Sequence, residues 1–219
     1  MKPKYDLMMF DLDGTLTDSS GGIFESIKYS LNKMNCPIPE EKTLRKFIGP
    51  PLFQSFRKYC GMDDEAANRA DSYFRKSYYE TGAFNNTLFP HMEELLKDLK
   101  NAGANLAVVT SKPITITPKV LEFVKVTQYF NGIFAPDEGE HSGRKCLLIN
   151  DCLKTLKVKP ENAVMIGDTH FDAAGARESG TNFIGVLFGF GSKQEMVDEG
   201  GKVFARDLDE LKSSLLENS

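Results

Sequence analysis

Residues 5–16, Tyr5-Asp6-Leu7-Met8-Met9-Phe10-Asp11-Leu12-Asp13-Gly14-Thr15-Leu16, hold both the fold and the chemistry of this chain. Four apolar residues run without a break between Asp6 and Asp11. The run is too short for a core helix and lacks the alternation of a half-exposed strand. It suits a strand over 5–10 that is covered on both faces, as in a parallel sheet. Side chains at i and i+2 leave a strand on the same side, so Asp11 and Asp13 start out close together. Two like charges at that spacing are unfavourable unless a cation or a shared proton offsets them. An ordinary Asp-Gly turn is the bland alternative. Two carboxylates at the carboxyl end of a strand tilt the reading toward a site.

Further apolar runs at 105–109, 163–166, 182–188 and 202–205, with a weaker one at 132–135, have the same bounded character. Helix-period segments lie between most of them. Met92, Leu95, Leu96 and Leu99 recur at helical spacing after Pro90, and Gly103 supplies the stop. Residues 146–156 and 171–179 read the same way, and Ser192 and Asp207 head capping-box-like starts. Strands alternating with helices predict an α/β fold, a Rossmann-like and mainly parallel sheet with right-handed crossovers.

One segment breaks the alternation. Residues 19–82 contain no strand pattern. Ile23, Ile27, Leu31 and Met34 form one helical stripe, capped by Ser19 or Ser20 and stopped near Pro37. Asp63 heads a second long helix, with Ala66, Ala70, Phe74 and Tyr78 on one face, ending at Gly82. Shorter helices at 44–47 and 52–59 flank Gly49-Pro50-Pro51. The expected organisation is therefore a core of 1–18 and 83–219 with a helical insertion at 19–82. Ligands of open α/β sheets bind outside the carboxyl ends of the strands, so an insertion leaving that edge is placed to act as a lid.

Composition narrows the classes. The 219 residues are 41% apolar and 26% charged, which fits one large α/β domain or one domain with an insertion. A net charge of −4 gives no general attraction to phosphate backbones, so nucleic acid is not an expected partner. The longest nearly uninterrupted apolar stretch, 183–190, is far short of the ~20 residues that span a bilayer. The run after Lys2 and Lys4 is too short for a signal-peptide core. Cys36, Cys60, Cys146 and Cys152 form no CxxC pair and have no His at zinc spacing, so free thiols in a reducing compartment are expected. The expectation is a cytoplasmic protein without a membrane partner; nothing in the sequence indicates its oligomeric state.

A second acidic cluster, Gly167-Asp168-Thr169-His170-Phe171-Asp172, ends the run at 163–166. Read alone, Asp168 is a helix N-cap and Asp172 a first-turn partner of the helix dipole. Together with Asp11 and Asp13, two strand ends now offer hard oxygen ligands to one sheet edge, which suits Mg²⁺ beside a phosphate. Thr110-Ser111-Lys112-Pro113 puts a hydroxyl and free backbone N–H groups at another strand end, or else is a polar turn. Arg144-Lys145 heads a helix and reads by default as a solvated basic pair. His170 reads as a first-turn surface residue, and His91 and His141 have no partner that singles them out.

The ordered set Asp11-x-Asp13-Gly14-Thr15, Thr110-Ser111, Lys145 and Gly167-Asp168-x-x-x-Asp172 resembles the haloacid dehalogenase superfamily of phosphatases along nearly the whole chain. The insertion resembles that family's C1-type cap. Ile48-Gly49-Pro50-Pro51-Leu52 and Gly189-Phe190-Gly191-Ser192 resemble the phosphoglycolate phosphatase and 5′-nucleotidase-like branch, with one departure: His91 follows Pro90 where that branch usually has Gly. The resemblance implies Asp11 as nucleophile and Asp13 as acid and base. It implies Mg²⁺ on Asp11, the Asp13 carbonyl and Asp168, with Asp172 supporting Lys145 or the metal shell. Gly14, Thr15, Thr110, Ser111 and Lys145 are the implied binders of a small phosphate-ester substrate. Asp13 also favours phosphate chemistry, since the superfamily's dehalogenases lack that carboxylate. Two other readings stay open: a sugar-phosphate mutase on the same core, and a phospho-receiver signalling or binding protein, which has no use for the insertion.

Overall fold

The computed structural model describes residues 2–137 and 144–217; His141 lies outside them. Six strands form the main sheet: β1 (Leu7–Phe10), β2 (Asn105–Val109), β3 (Gly132–Phe134), β4 (Ala163–Gly167), β5 (Asn182–Val186) and β6 (Val203–Ala205). Their order is β3-β2-β1-β4-β5-β6, and every pairing is parallel. The weak apolar run at 132–135 is thus a true edge strand, with Gly132 opposite Ala107. Strand ends are shorter than the apolar runs: the first begins at Leu7, and the run at 182–188 stops at Val186.

β1 sits at the centre, with Leu7 opposite Asn105 on one side and Ala163 on the other. All four of its residues are fully buried, because helices cover both faces of the sheet. Each such side chain contributes about 1.5–3 kcal/mol of burial. Leu7 and Met9 point to one face and pack in a cluster with Ala107, Val109, Met165, Ile149 and Cys152. The helix Lys145–Leu156 supplies the last two. The cysteines are free thiols; burial raises the Cys152 thiol to about 12, so it behaves as a small apolar side chain. The chain's path reverses at β1, with β2 and β3 to one side and β4 to β6 to the other. Loops diverge at such a switch point and leave a crevice at the carboxyl ends of the strands.

The chain divides into two compact units, one of Met1–Asp18 with Leu88–Ser219 and one of Ser19–Thr87. The second unit is helical: Ser20–Lys33, Glu41–Leu44, Leu52–Cys60 and Asp64–Glu80. Ile23, Ile27 and Leu31 are buried there, as are Ala67, Ala70, Phe74 and Tyr78, and the Ser30 hydroxyl donates to the Ala70 carbonyl at 2.6 Å. Asp63 caps its helix by accepting from the Ala66 N–H at 2.8 Å. Ser19 occupies the first cap position without capping: its φ of −97° and ψ of 3° are not extended, and its hydroxyl has no partner among the described residues. The unit runs past the expected edge at 82 because the turn Gly82–Phe84 folds back, and the Gly22 N–H donates to Asn85 O at 3.1 Å. Among the described residues no helix is long and apolar enough to cross a membrane.

Candidate active site

The Asp11 N–H still donates to the Ile166 carbonyl at 2.9 Å, so strand geometry carries one residue past Phe10 and delivers this carboxylate at the sheet edge. The chain then turns sharply, the N–H groups of Leu16 and Thr17 both closing on the Leu12 carbonyl at 3.0 Å. Gly14 has φ of +84°, and a Cβ there would lie 2.3 Å from Asp168 Oδ2. Residue 14 is therefore glycine for both backbone and space. Thr15, expected on the phosphate, is fully buried and turns its hydroxyl to Asp168 Oδ1 at 3.3 Å.

β4 delivers Asp168, which is fully buried and accepts from the Phe190 N–H at 2.7 Å and the Gly191 N–H at 3.4 Å. Asp168 is not the helix cap. Thr169 is, in a capping box: Asp172 Oδ2 accepts from the Thr169 N–H at 3.1 Å and its hydroxyl at 2.8 Å. That fixes the Asp172 carboxylate so that its other oxygen, Oδ1, lies 2.8 Å from Lys145 Nζ. The same ammonium donates to Asp11 Oδ1 at 2.8 Å. Lys145 is thus no solvated residue; its side chain is 4% exposed, while Arg144 lies exposed and pairs with Glu178.

β2 delivers Thr110, also buried. Two of the N–H groups expected to be free are taken: Thr110 N–H donates to Phe134 O at 3.0 Å, and the Lys112 N–H donates to Thr110 Oγ1 at 3.2 Å. Ser111 is exposed on the same loop. His170 is half-buried at the start of its helix, and His91 pairs with Glu94 far from this cluster in sequence.

Asp11, Asp168 and Asp172 bring carboxylate oxygens within 4.8 Å of one another. Burial, with the charges of Asp172 and Asp11 adding to it, pushes the Asp168 carboxyl up to about 8. Burial also pushes Asp11 up to about 6, against the pull of Lys145 and with a further push from Asp172. Burial opposes the charged form of Lys145, but Asp11 and Asp172 outweigh it and hold the ammonium above its ordinary value. Lys145 pairs with Asp11 and Asp172, and among the described residues no ammonium reaches Asp168, whose carboxyl burial holds in the neutral form up to about 8.

Sequence reasoning gave no role to Lys112, whose Nζ lies 2.9 Å from Asp13 Oδ2. Its place two residues after Thr110 was the available signal. It also gave no role to the loop Gly189-Phe190-Gly191, whose backbone holds Asp168. Paired glycines after an apolar strand were the signal there.

The family model of haloacid dehalogenase-like hydrolases matches residues 8–186. The chain belongs to this family. A 5′-nucleotidase of Pseudomonas aeruginosa is 34% identical over 97% of this chain and 96% of its own. A tyrosine-protein kinase of Mycobacterium tuberculosis is 34% identical over 95% of this chain and 72% of its own. A phosphoglycolate phosphatase of Vibrio vulnificus is 29% identical over 84% of each chain. The crystal structure of a predicted phosphatase from Clostridium acetobutylicum is 38% identical and superposes with a TM-score of 0.89 over 96% of this chain and 97% of that one. The family's fold and phosphatase chemistry account for the site: a hydrolase core with acidic side chains gathered at the carboxyl edge of a parallel sheet.

Proposed function

We propose that this protein hydrolyses a small organic phosphomonoester, phosphoglycolate-like or a nucleoside 5′-monophosphate, through an aspartyl-phosphate on Asp11 with Mg²⁺ as cofactor. The observation that carries the reading is the buried group of Asp11, Asp168 and Asp172, whose carboxylate oxygens gather within 4.8 Å of one another while Lys145 pairs with Asp11 and Asp172. More carboxyl groups than ammonium groups, and the raised carboxyls of Asp11 and Asp168, fit a hard divalent cation that would favour their charged forms. Asp11, Asp168 and the Asp13 carbonyl would hold it, and when bound it offsets charge on the nucleophile and the phosphoryl group.

The chain's own residues supply the rest. Lys145 steadies the Asp11 carboxylate through Oδ1 and offers its remaining N–H to a phosphoryl oxygen. The Thr110 hydroxyl already accepts from Lys112 N–H, so its own proton is available to another phosphoryl oxygen. In the first step an Asp11 oxygen bonds to phosphorus as the ester P–O bond breaks, and Asp13 gives its proton to the leaving oxygen. In the second, the oxygen of water bonds to phosphorus, its proton passes to Asp13, and the Asp11–phosphorus bond breaks. The helical unit is inserted in the chain between β1 and β2, and its role in this reading is to exclude water and select substrate.

The test separates the two aspartates. With an aryl phosphate, whose leaving group needs no proton, Asp13→Asn should still phosphorylate Asp11 and then stall, losing roughly 10²–10⁴ in turnover. Intact-mass measurement after rapid mixing should find the phosphoryl adduct on Asp13→Asn and none on Asp11→Asn. An adduct on the Asp11 variant, or full turnover by the Asp13 variant, refutes these roles.

A further inference from the structure

We infer that Lys112 is a positioning residue for this hydrolysis: it grips Asp13 by one carboxylate oxygen and leaves the other to carry the proton, a role that rests on the aspartyl-phosphate reading above. The geometry is specific. Lys112 Nζ lies 2.9 Å from Asp13 Oδ2, with side chains 6% and 20% exposed. Asp13 Oδ1 is buried and has no hydrogen-bond partner among the described residues. A buried lysine gives up rotamer freedom and hydration, which its environment must offset.

The backbone is built to hold it there. Its N–H donates to Thr110 Oγ1 at 3.2 Å, and its carbonyl accepts from the buried Thr117 hydroxyl at 3.0 Å. The residue is therefore anchored on both sides of its Cα, and its side chain enters the site from the end of β2 toward the turn after β1.

An ammonium has donors and no acceptor. A proton on Asp13 Oδ2 would face another N–H, so the neutral form of Asp13 must carry its proton on Oδ1. That oxygen is the orphan. Leaving a buried acceptor without a partner is unfavourable, and here the partner is supplied by the reaction: the leaving oxygen in the first step, water in the second. As the ester P–O bond breaks, the Oδ1–H bond breaks and the proton moves to the leaving oxygen. The ammonium, still on Oδ2, stabilises the carboxylate this creates. The same carboxylate oxygen then takes a proton from water while the water oxygen bonds to phosphorus and Asp11 departs.

The test is rapid-quench measurement of phosphoryl-enzyme formation by Lys112→Met, Asp13→Asn and the double variant. The substrates are a nitrophenyl phosphate and whichever alkyl monophosphate, phosphoglycolate or a nucleoside 5′-monophosphate, the wild type turns over. Lys112→Met should slow formation from the alkyl ester about 10-fold to 100-fold, the worth of one charge-assisted hydrogen bond. Formation from the aryl ester should change little, since no proton is needed, and KM should hold for both. Because Lys112 acts through Asp13, the double variant should be no slower than Asp13→Asn alone. Equal losses with both esters, a rise in KM at preserved kcat, or losses that multiply in the double variant would each overturn the role. Should Lys112→Met not fold, Lys112→Gln carries the same comparison. A wild type that forms no phosphoryl-enzyme overturns the aspartyl-phosphate reading and this role with it. A wild type that forms it, with Lys112→Met unaffected, overturns this role alone.

Discussion

Without the divalent cation proposed above, this protein should become less stable as pH rises, through the burial of Asp168 and Asp11. The Asp168 carboxyl is held at about 8 against an ordinary 3.8, chiefly by burial and then by Asp172 and Asp11. Asp11 is held at about 6, again chiefly by burial. Below an ordinary carboxyl pKa of about 4 both groups are protonated in folded and unfolded chains alike, and neither affects stability. Above it, the unfolded chain releases protons that the folded site keeps. The folded state then binds more protons than the unfolded, so stability falls with pH until the folded groups ionise too, at about 6 for Asp11 and about 8 for Asp168. At about 1.4 kcal/mol per pH unit, the interval from 3.8 to about 8 sets a ceiling of about 6 kcal/mol for Asp168. The two groups are neighbours, so the observed steps belong to the pair. A loss of that order is large against a typical stability of about 5–15 kcal/mol.

The chain has no tryptophan, so urea unfolding is best followed by far-ultraviolet circular dichroism. In EDTA the unfolding free energy should decline steadily from mildly acidic to mildly alkaline pH. Saturating Mg²⁺ should flatten the decline, and Asp168→Asn should remove most of it without metal. A metal-free stability that is flat or rises over this range would refute the electrostatic account of the site.

His91 adopts φ of +65° at the start of the helix Met92–Asn101. His91→Gly should relieve about 1–2 kcal/mol of left-handed strain and return about half of that as unfolded-state freedom, so thermal unfolding should move up by a few degrees; a lower midpoint contradicts the strain. Replacing Ser19–Thr87 by a short linker should leave a core that still releases phosphate from an aryl phosphate but discriminates less among metabolite phosphates. A truncated core as selective as the full chain would exclude the helical unit from substrate choice.

The departure at His91 shows how sequence and structure divide the information. Pro90-His91 reads as an oddity in the sequence; the backbone angle reveals that the site calls for glycine and that histidine tolerates it at a cost. Lys145 is the converse case. Pattern alone makes it half of a solvated pair, the ordered motifs mark it as functional, and only the tertiary structure places one ammonium between Asp11 and Asp172.

Local physics made the strands, the helices and the acidic strand ends legible in the sequence. Buried strands need apolar runs, helices need periodic ones, and a tight turn after β1 needs glycine. Which polar groups meet was decided by the tertiary structure: Thr15 and the 189–191 backbone on Asp168, Lys112 on Asp13, Lys145 on Asp11 and Asp172. Those partners are distant in sequence and arrive on different strands and loops. Their meeting depends on the order β3-β2-β1-β4-β5-β6, and an apolar run specifies that a strand is buried without specifying its neighbour.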